Sequence, residues 1–300
     1  MRITRFLLAV SMAFTCMVSL TANAKGSTTE HSLKVGADYR TYRVYSPNSD
    51  GTNPFPVMIL LHGGLGNAKY MQSNIAIEGV ADEGQFKVVF ADGTGGRVFT
   101  NNKTWNAGKC CGYSVEKKIN DVQFISTLID ELVETQNIDA SKVYVGGMSN
   151  GAMMAYRAVC QLPEKITAMF SVAGTLAIDN CDRAVKVPVL HIHGENDENV
   201  PVDGGTGSNS ISGVEHRSVA DTISLVSSKR DCLQPETEMF DEVLELNTYR
   251  CAKGADVRLL IIKNGEHVWP GSKRDEQADV HGFNASEQSW LFVKQFMKSS

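Results

Sequence analysis

Runs of consecutive apolar residues alternate along the chain with segments in which apolar positions recur every three or four residues. The first pattern is typical of strands buried on both faces, and the second is typical of amphipathic helices. The predicted strands are Thr41–Tyr45, Val57–Leu61, Lys87–Ala91, Lys142–Val145, Ala168–Val172, Val187–Ile192 and Val257–Ile262. The predicted helices are Ile75–Glu83, Val122–Leu132, Ala152–Cys160 and Ser286–Met297. Strands separated by helices indicate an α/β fold built on a doubly wound, mainly parallel sheet.

The N-terminal segment has a different pattern. Arg2 and Arg5 precede the apolar run Phe6–Leu20, and Ala22–Ala24 provides the small residues of a cleavage site. This order is typical of a secretory signal peptide and is too short for a stable membrane span. We therefore predict a signal peptide over residues 1–24 and export to the periplasm or the medium. The mature protein is then one domain, residues 25–300, without a membrane anchor.

Six cysteines follow the predicted cleavage site: Cys110, Cys111, Cys160, Cys181, Cys232 and Cys251. An even number in an exported protein predicts disulfides. Adjacent cysteines are badly placed to bond each other, so Cys110 and Cys111 are each expected to reach a distant partner. Cys232 and Cys251 would close a short local loop. Zinc is the alternative, but no C-x-x-C pair or paired histidine spacing supports it, and we predict no metal site.

The charge balance narrows the range of partners. The net charge is -5, and the pI is about 5.8. The sequence contains no stripe of Lys and Arg interleaved with aromatic residues. Nucleic acid and anionic membrane surfaces are therefore not expected partners. Nothing in the sequence implies an obligate protein partner.

The most informative motif is Gly-x-Ser-x-Gly at residues 147–151. Ser149 follows the predicted strand Lys142–Val145 and precedes the predicted helix Ala152–Cys160. A nucleophile elbow needs this strand–turn–helix arrangement, with glycine on both sides of a sharp turn. An ordinary glycine-rich loop contains the same residue types. The interpretation therefore depends on whether a base, an acid and oxyanion donors are also present.

His267 is the candidate base and Asp197 is the candidate acid, because each follows the end of a predicted strand. Parallel strands end at the same edge of a sheet, so both side chains are expected near Ser149. The order serine, acid, histidine along the chain is the order of the α/β-hydrolases. The spacing alone does not distinguish Asp197 from Glu195 or Glu198.

A candidate oxyanion hole follows the predicted strand Val57–Leu61. The sequence His-Gly-Gly at residues 62–64 provides uncluttered backbone at the position where such a hole is built. The backbone N–H groups near Gly64 and of Asn150 are the expected donors. A base, an acid and oxyanion donors are thus all present, and we interpret Ser149 as a nucleophile.

With these residues identified, the chain resembles the secreted esterases grouped as polyhydroxybutyrate depolymerase, feruloyl esterase and LpqC-type proteins. These esterases are related to the family-one carbohydrate esterases. The resemblance covers nearly the whole mature chain. The stretches that carry it are LLHGGLGNA, WNAGKCCGY, NDVQFISTLIDEL, VGGMSNGAMMAYRAVCQLPEKITAMFSVAGTL, VPVLHIHGENDENVPVDGG and GEHVWPG.

The resemblance implies a disulfide-stabilised α/β-hydrolase fold without a cofactor. It matches the serine, acid and histidine of the family to Ser149, Asp197 and His267, and so prefers Asp197 over its acidic neighbours. It also suggests two disulfides between the pair Cys110 and Cys111 and the pair Cys160 and Cys181, in either order. Cys232 would then bond Cys251. Trp105 and Trp269 are suggested as residues that flank the substrate pocket.

We therefore expect an exported serine carboxylic-ester hydrolase that forms an acyl-enzyme. Its expected substrates are short hydroxyalkanoate esters, or feruloyl and acetyl esters of plant polysaccharides. Solid polyester is a less suitable substrate, because depolymerases that attack it usually carry a linker and a separate binding domain. The alternatives are a peptidase on the same fold and a non-catalytic extracellular binding protein.

Overall fold

The computed structural model describes residues 25–49, 51, 53–96, 101–184 and 186–297. The predicted signal peptide, residues 1–24, lies outside the described residues. None of the described helices is long and apolar enough to cross a membrane.

The described strands are β1 Ser27–Val35, β2 Asp38–Ser46, β3 Phe55–Leu61, β4 Lys87–Ala91, β5 Thr94–Gly95, β6 Lys103–Thr104, β7 Ile138–Met148, β8 Ala168–Val172, β9 Val189–Gly194, β10 Glu236–Met239, β11 Leu244–Tyr249 and β12 Val257–Ile262. The described α-helices are α1 Ala68–Asn74, α2 Ile77–Gly84, α3 Gly112–Glu116, α4 Asp121–Thr135, α5 Asn150–Gln161, α6 Val219–Ser227, α7 Ala278–His281 and α8 Ala285–Val293. Short 3₁₀ helices occupy Asp182–Ala184, Ala252–Gly254 and Lys294–Phe296.

Within the described residues, ten strands form one sheet in the order β1-β2-β4-β3-β7-β8-β9-β12-β11-β10. The six central strands pair in parallel, and their order across the sheet is β4, β3, β7, β8, β9 and β12. The strands at each edge, β1 with β2 and β11 with β10, are antiparallel. The predicted doubly wound, mainly parallel sheet is therefore confirmed.

The central strands are apolar at consecutive positions because both faces of the sheet are covered. In β3, Val57, Ile59 and Leu61 pack with α4 and α5 on one face. Met58 and Leu60 pack with α1, α2 and α8 on the other face. Successive side chains of a strand point to opposite faces, so each face receives every second residue. The sheet is thereby fixed between two hydrophobic layers.

Two predicted helices differ from the structure. The expected helix Ile75–Glu83 is the second of two helices, α1 and α2, which are separated at Ala76 by a left-handed backbone conformation with φ 49°. The expected helix Ser286–Met297 ends as an α-helix at Val293 and continues as a 3₁₀ turn. The loop at residues 203–214 contains no regular helix or strand.

The disulfides correct one expectation. Cys232 bonds Cys251, but Cys160 bonds Cys181, and Cys110 bonds its neighbour Cys111. The expectation that Cys110 and Cys111 each bond one of Cys160 and Cys181 is therefore wrong. The peptide bond between the neighbours is cis and their Cα atoms are 3.1 Å apart, closer than the 3.8 Å that a trans peptide imposes.

Candidate active site

Ser149 lies at the turn between β7 and α5. Its φ of 54° and ψ of -123° place it in a conformation that non-glycine residues rarely adopt, and its N–H donates to the carbonyl of Val172 at 2.9 Å. Gly151 is required by close approach, because a Cβ there would overlap the carbonyl oxygen of Leu61. Gly147 approaches the same oxygen. The serine is thus held on a strained turn that packs directly against the end of β3.

Ser149, His267 and Asp197 are joined by hydrogen bonds. The Nε2 of His267 lies 3.0 Å from the Oγ of Ser149, and its Nδ1 lies 2.7 Å from Oδ2 of Asp197. The three residues follow the carboxyl ends of β7, β9 and β12, as strand order at one sheet edge predicts. The Asp197 side chain is inaccessible to solvent, and that of His267 is 16% exposed.

Asp197 is held as a carboxylate. Its Oδ1 accepts from the N–H groups of Asn199 at 2.9 Å and Val200 at 2.8 Å. Burial by itself would raise the pKa of Asp197, but the hydrogen bonds from His267 and from the N–H of Val200 help to bring it below its ordinary value. Nδ1 of His267 therefore carries the proton, and Nε2 presents a lone pair to the Ser149 hydroxyl.

The two other acidic candidates are engaged elsewhere. Glu195 pairs with Lys263 and accepts from the N–H of Asn264. Glu198 accepts from the side-chain amide of Asn209. Among the three carboxylates that the sequence spacing left open, Asp197 is the one that the structure brings to His267.

His62 fixes the backbone of the candidate oxyanion hole. Its Nε2 accepts from the N–H of Gly93 at 2.9 Å, so its Nδ1 carries the proton and donates to the carbonyl of Gly63 at 2.8 Å. Burial lowers the pKa of His62 to about 4 and keeps the ring neutral. Since the N–H of a trans peptide points opposite to its carbonyl, the N–H of Gly64 is turned away from the ring of His62, and Gly64 itself lines the cleft described below.

Asn150 is the second expected donor and occupies the first position of α5, where the N–H has no partner inside the helix. Its side chain accepts from the N–H of Trp105 at 2.7 Å and donates to the carbonyl of the same residue at 3.0 Å. The Cβ of Asn150 lies 3.7 Å from the position that a Cβ would occupy on Gly64. The two expected donors are therefore adjacent.

The two tryptophans occupy different positions. Trp105 is fully buried beneath the oxyanion loop, and its Nε1 donates to the carbonyl of His62 at 2.9 Å. It does not line the cleft, so the expectation that it flanks the pocket is corrected to a supporting position under the loop. Trp269 lines the cleft although it is almost completely buried, and its Nε1 donates to the hydroxyl of Ser286.

A cleft of about 950 Å³ opens above Ser149. Leu65, Tyr70 and Ile211 provide exposed apolar surface on its wall, and Ile211 is 82% exposed. The side chains of Asn67 and Asn199 provide amide groups beside them. A cleft of this volume is large enough for a drug-sized molecule and far exceeds the needs of an acetyl group. No group of three or more His, Cys, Asp or Glu side chains in the described ranges is arranged to hold a metal ion.

His62 is the residue that sequence reasoning used without assigning it a role of its own. The sequence showed it only as the first letter of His-Gly-Gly. A histidine placed between a fully apolar strand and two glycines is the signal that could have identified it, because its ring must be buried and hydrogen-bonded there.

Comparisons with known proteins identify the family of the chain. The phospholipase/carboxylesterase family matches residues 43–213. The chain is 32% identical over 159 residues to the bifunctional acetylxylan esterase/xylanase XynS20E of Neocallimastix patriciarum, and 30% identical over 160 residues to feruloyl esterase B of Piromyces equi. These alignments cover 53% and 52% of this chain, but 22% and 28% of the two relatives.

Solved structures show the same fold. The acetyl xylan esterase from Aspergillus awamori superposes with a TM-score of 0.59 at 13% identity, over 88% of this chain and 99% of that chain. An S-formylglutathione hydrolase from Agrobacterium tumefaciens superposes with a TM-score of 0.61 at 13% identity, over 91% and 96%. At this identity the likeness shows the fold alone, and the predicted α/β-hydrolase fold is confirmed.

Proposed function

This chain belongs to the phospholipase/carboxylesterase family, and from that premise we propose that it is a serine ester hydrolase that works through an acyl-enzyme. The observation that carries the proposal is the hydrogen-bonded line from Asp197 through His267 to Ser149. In this line the lone pair of Nε2 faces the serine hydroxyl, which is the arrangement that a general base needs.

The first half of the reaction forms the acyl-enzyme. Ser149 Oγ attacks the ester carbonyl carbon while its proton passes to Nε2 of His267, and Asp197 stabilises the resulting imidazolium. The carbonyl oxygen gains the negative charge and is held by the N–H groups of Gly64 and Asn150. Each such donor is worth about 3 kcal/mol of transition-state stabilisation. The bond to the alcohol oxygen then breaks, and His267 returns the proton to the leaving alcohol.

The second half releases the acid. Water takes the place of the alcohol, and His267 accepts a proton from it while its oxygen attacks the acyl carbon. The same two N–H groups hold the second oxyanion. The bond to Ser149 Oγ breaks, the serine recovers its proton from His267, and the carboxylic acid leaves. The enzyme returns to its starting protonation state.

We place the preferred substrates among feruloyl or acetyl esters of plant polysaccharides. The names of the relatives support this choice, since they are an acetylxylan esterase/xylanase and a feruloyl esterase. The cleft also supports this choice, because its amide side chains and apolar surface suit a substrate with a bulky acyl group or a sugar. Short hydroxyalkanoate esters, which the sequence resemblance suggests, are the second candidate.

The test uses the mature chain, residues 25–300, beside Ser149→Ala and the matched control Ser141→Ala, an exposed serine at the other end of β7. Each protein receives methyl ferulate, acetylated xylo-oligosaccharide, a 3-hydroxybutyrate trimer and a peptide amide, and released acids are followed by chromatography. We expect release of ferulate or acetate by the wild type and the control, and none by Ser149→Ala.

The other outcomes each name an alternative. Release of hydroxybutyrate alone would support the second substrate class. Preferential cleavage of the peptide amide would support a peptidase. Equal release by the wild type and Ser149→Ala would contradict the assignment of the nucleophile. Release by none of the proteins would favour a non-catalytic binding protein.

We also propose that the enzyme acts outside the cytoplasm, as the predicted signal peptide implies. Expression of the full chain with its own N-terminus should give a mature protein that begins at Lys25, as determined by N-terminal sequencing of the exported fraction. A mature protein that retains residues 1–24 would contradict this proposal.

A further inference from the structure

Three buried polar side chains form a line behind the catalytic acid. The hydroxyl of Tyr156 lies 2.8 Å from Nδ1 of His191, and Nε2 of His191 lies 3.0 Å from Nδ1 of His193. Nε2 of His193 lies 2.8 Å from the carbonyl oxygen of Val200 and 3.4 Å from Oδ2 of Asp197. All three side chains are at most 1% exposed.

The carbonyl of Val200 determines where every proton in this line lies. A carbonyl oxygen only accepts, so Nε2 of His193 must carry the proton and donate. In the neutral ring Nδ1 of His193 then accepts from Nε2–H of His191. Nδ1 of His191 in turn accepts from the Tyr156 hydroxyl. All three hydrogen bonds therefore point in one direction, from Tyr156 toward Asp197.

The surroundings keep both rings neutral. Burial lowers the pKa of His191 well below its ordinary value and also lowers the pKa of His193. Asp197 is the negative group that faces His193, and the rings of His267 and His216 also lie near enough to influence it. Arg230 faces the opposite end, near Tyr156. A proton on either buried ring would reverse or break the line.

His193 connects to Asp197 in two ways. Its N–H approaches the same carboxylate oxygen that accepts from His267. It also holds the carbonyl of Val200, whose own N–H donates to the other carboxylate oxygen. Removing His193 would therefore take a contact away from Oδ2 and free the carbonyl of Val200, so the carboxylate would be held less firmly toward His267.

We propose that His193 is a positioning residue for the catalytic acid, and that His191 and Tyr156 fix the direction of its hydrogen bonds. This inference rests on the proposed function, because Asp197 needs an orientation only if His267 acts as a base. A strand in the centre of a sheet would ordinarily carry apolar residues at these positions. Polar groups buried there are costly unless each has a partner, and this line satisfies all of them.

The test compares the wild type with His193→Leu, His193→Gln and Tyr156→Phe. Leucine removes the donor, whereas the amide nitrogen of glutamine reaches the position of Nε2 and restores it. Tyr156→Phe deletes one hydroxyl without a change of shape. Three readouts are taken: kcat and KM on the preferred ester, the rate at which a fluorophosphonate labels Ser149, and the ¹⁵N chemical shifts of the histidine rings.

We expect kcat of His193→Leu to fall about 10- to 100-fold with KM unchanged, and fluorophosphonate labelling to slow by the same factor. His193→Gln should recover most of the loss. Tyr156→Phe should lower kcat by about two- to tenfold, because a neutral hydrogen bond is lost. In the wild type, His191 and His193 should both be neutral Nε2–H tautomers between pH 6 and 8.

The outcomes separate this inference from the proposed function. If the wild type is labelled at Ser149 but hydrolyses none of the tested esters, the labelling rates decide. Slower labelling of His193→Leu and Tyr156→Phe than of the wild type would then support the inference. No labelling of the wild type would contradict the nucleophile itself. Equal labelling of the wild type, His193→Leu and Tyr156→Phe would overturn the inference, as would an Nδ1–H tautomer or a cationic ring at His193. If His193→Leu does not fold, Tyr156→Phe and the ¹⁵N shifts still decide.

Discussion

Replacement of Asp197 by asparagine should abolish the base while it leaves the fold intact. The Oδ1 atom of asparagine can still accept from the N–H groups of Asn199 and Val200, at 2.9 and 2.8 Å in the native site. The amide nitrogen then replaces Oδ2, which lies 2.7 Å from Nδ1 of His267. Two N–H donors cannot face each other at that distance, so His267 must move its proton to Nε2.

The size of the effect follows from this change of tautomer. A proton on Nε2 faces Ser149 and removes the lone pair that would accept the serine proton. In a serine–histidine–aspartate triad, the same change of tautomer lowers kcat by about ten-thousandfold, or about 5 kcal/mol of activation free energy. The stability cost should be only about 1 to 2 kcal/mol, since two of the three hydrogen bonds to the side chain persist.

The assay measures kcat by ester hydrolysis and the free energy of unfolding by urea titration, for Asp197→Asn and for the control Glu195→Gln. Glu195 is one of the other acids that the sequence spacing allowed, and it pairs with Lys263 at the surface. We expect the control to retain kcat within about twofold, since exposed ion pairs contribute little. A decrease in kcat of less than about tenfold in Asp197→Asn would refute the reasoning. A larger decrease in kcat in Glu195→Gln than in Asp197→Asn would refute it as well.

Three further predictions concern the framework of the site. His62 has an ordinary pKa of 6.5 and a pKa of about 4 in the fold, so the unfolded chain takes up the proton first as pH falls. As pH falls from 6.5 to 4, this group should lower the free energy of unfolding by about 3 kcal/mol. Urea titrations of His62→Asn should show a pH dependence of the free energy of unfolding that is weaker by that amount. The same pH dependence in the wild type and in His62→Asn would contradict a buried neutral ring. Gly151→Ala should lower the free energy of unfolding by about 3 kcal/mol or more and abolish hydrolysis, because the new Cβ would overlap the carbonyl of Leu61. The control Gly79→Ala, on the open face of α2, should raise the free energy of unfolding by about 0.5 to 1 kcal/mol. Comparable melting temperatures for the two variants would rule this out. Replacing Cys232 and Cys251 together by serine should lower the free energy of unfolding by about 3 kcal/mol, as expected for a crosslink between residues 19 apart, and a change below about 1 kcal/mol would argue against a constraining disulfide.

The central strands were predictable because their sequence records burial on both faces. The bounds of β4, β8 and β12 agree with the predicted runs residue for residue. The edge strand β10 was not predicted, since Glu236–Met239 is exposed throughout and carries no apolar pattern. Its extended conformation comes from pairing with β11, which is information that lies elsewhere in the chain.

The candidate site was predictable to the extent that it depends on strand ends. Ser149, Asp197 and His267 each follow a central strand, and parallel strands bring their carboxyl ends to one edge. The position of Trp105 was not predictable in the same way. Its ring lies under the oxyanion loop because α4 and Arg40 cover it from the other side, and the local sequence contains neither.

The sequence by itself determined which segments are buried, in which order the catalytic residue types follow the strands, and therefore the fold class. These properties are local, because burial leaves a periodic pattern in the segment that is buried. Only the tertiary structure decided that Cys110 bonds Cys111, that Asp197 and not Glu195 meets His267, and that the ring of His193 meets the carbonyl of Val200. Hydrogen bonds and disulfides join atoms over a few ångströms and in fixed directions, so they depend on neighbours from distant segments that no local pattern specifies.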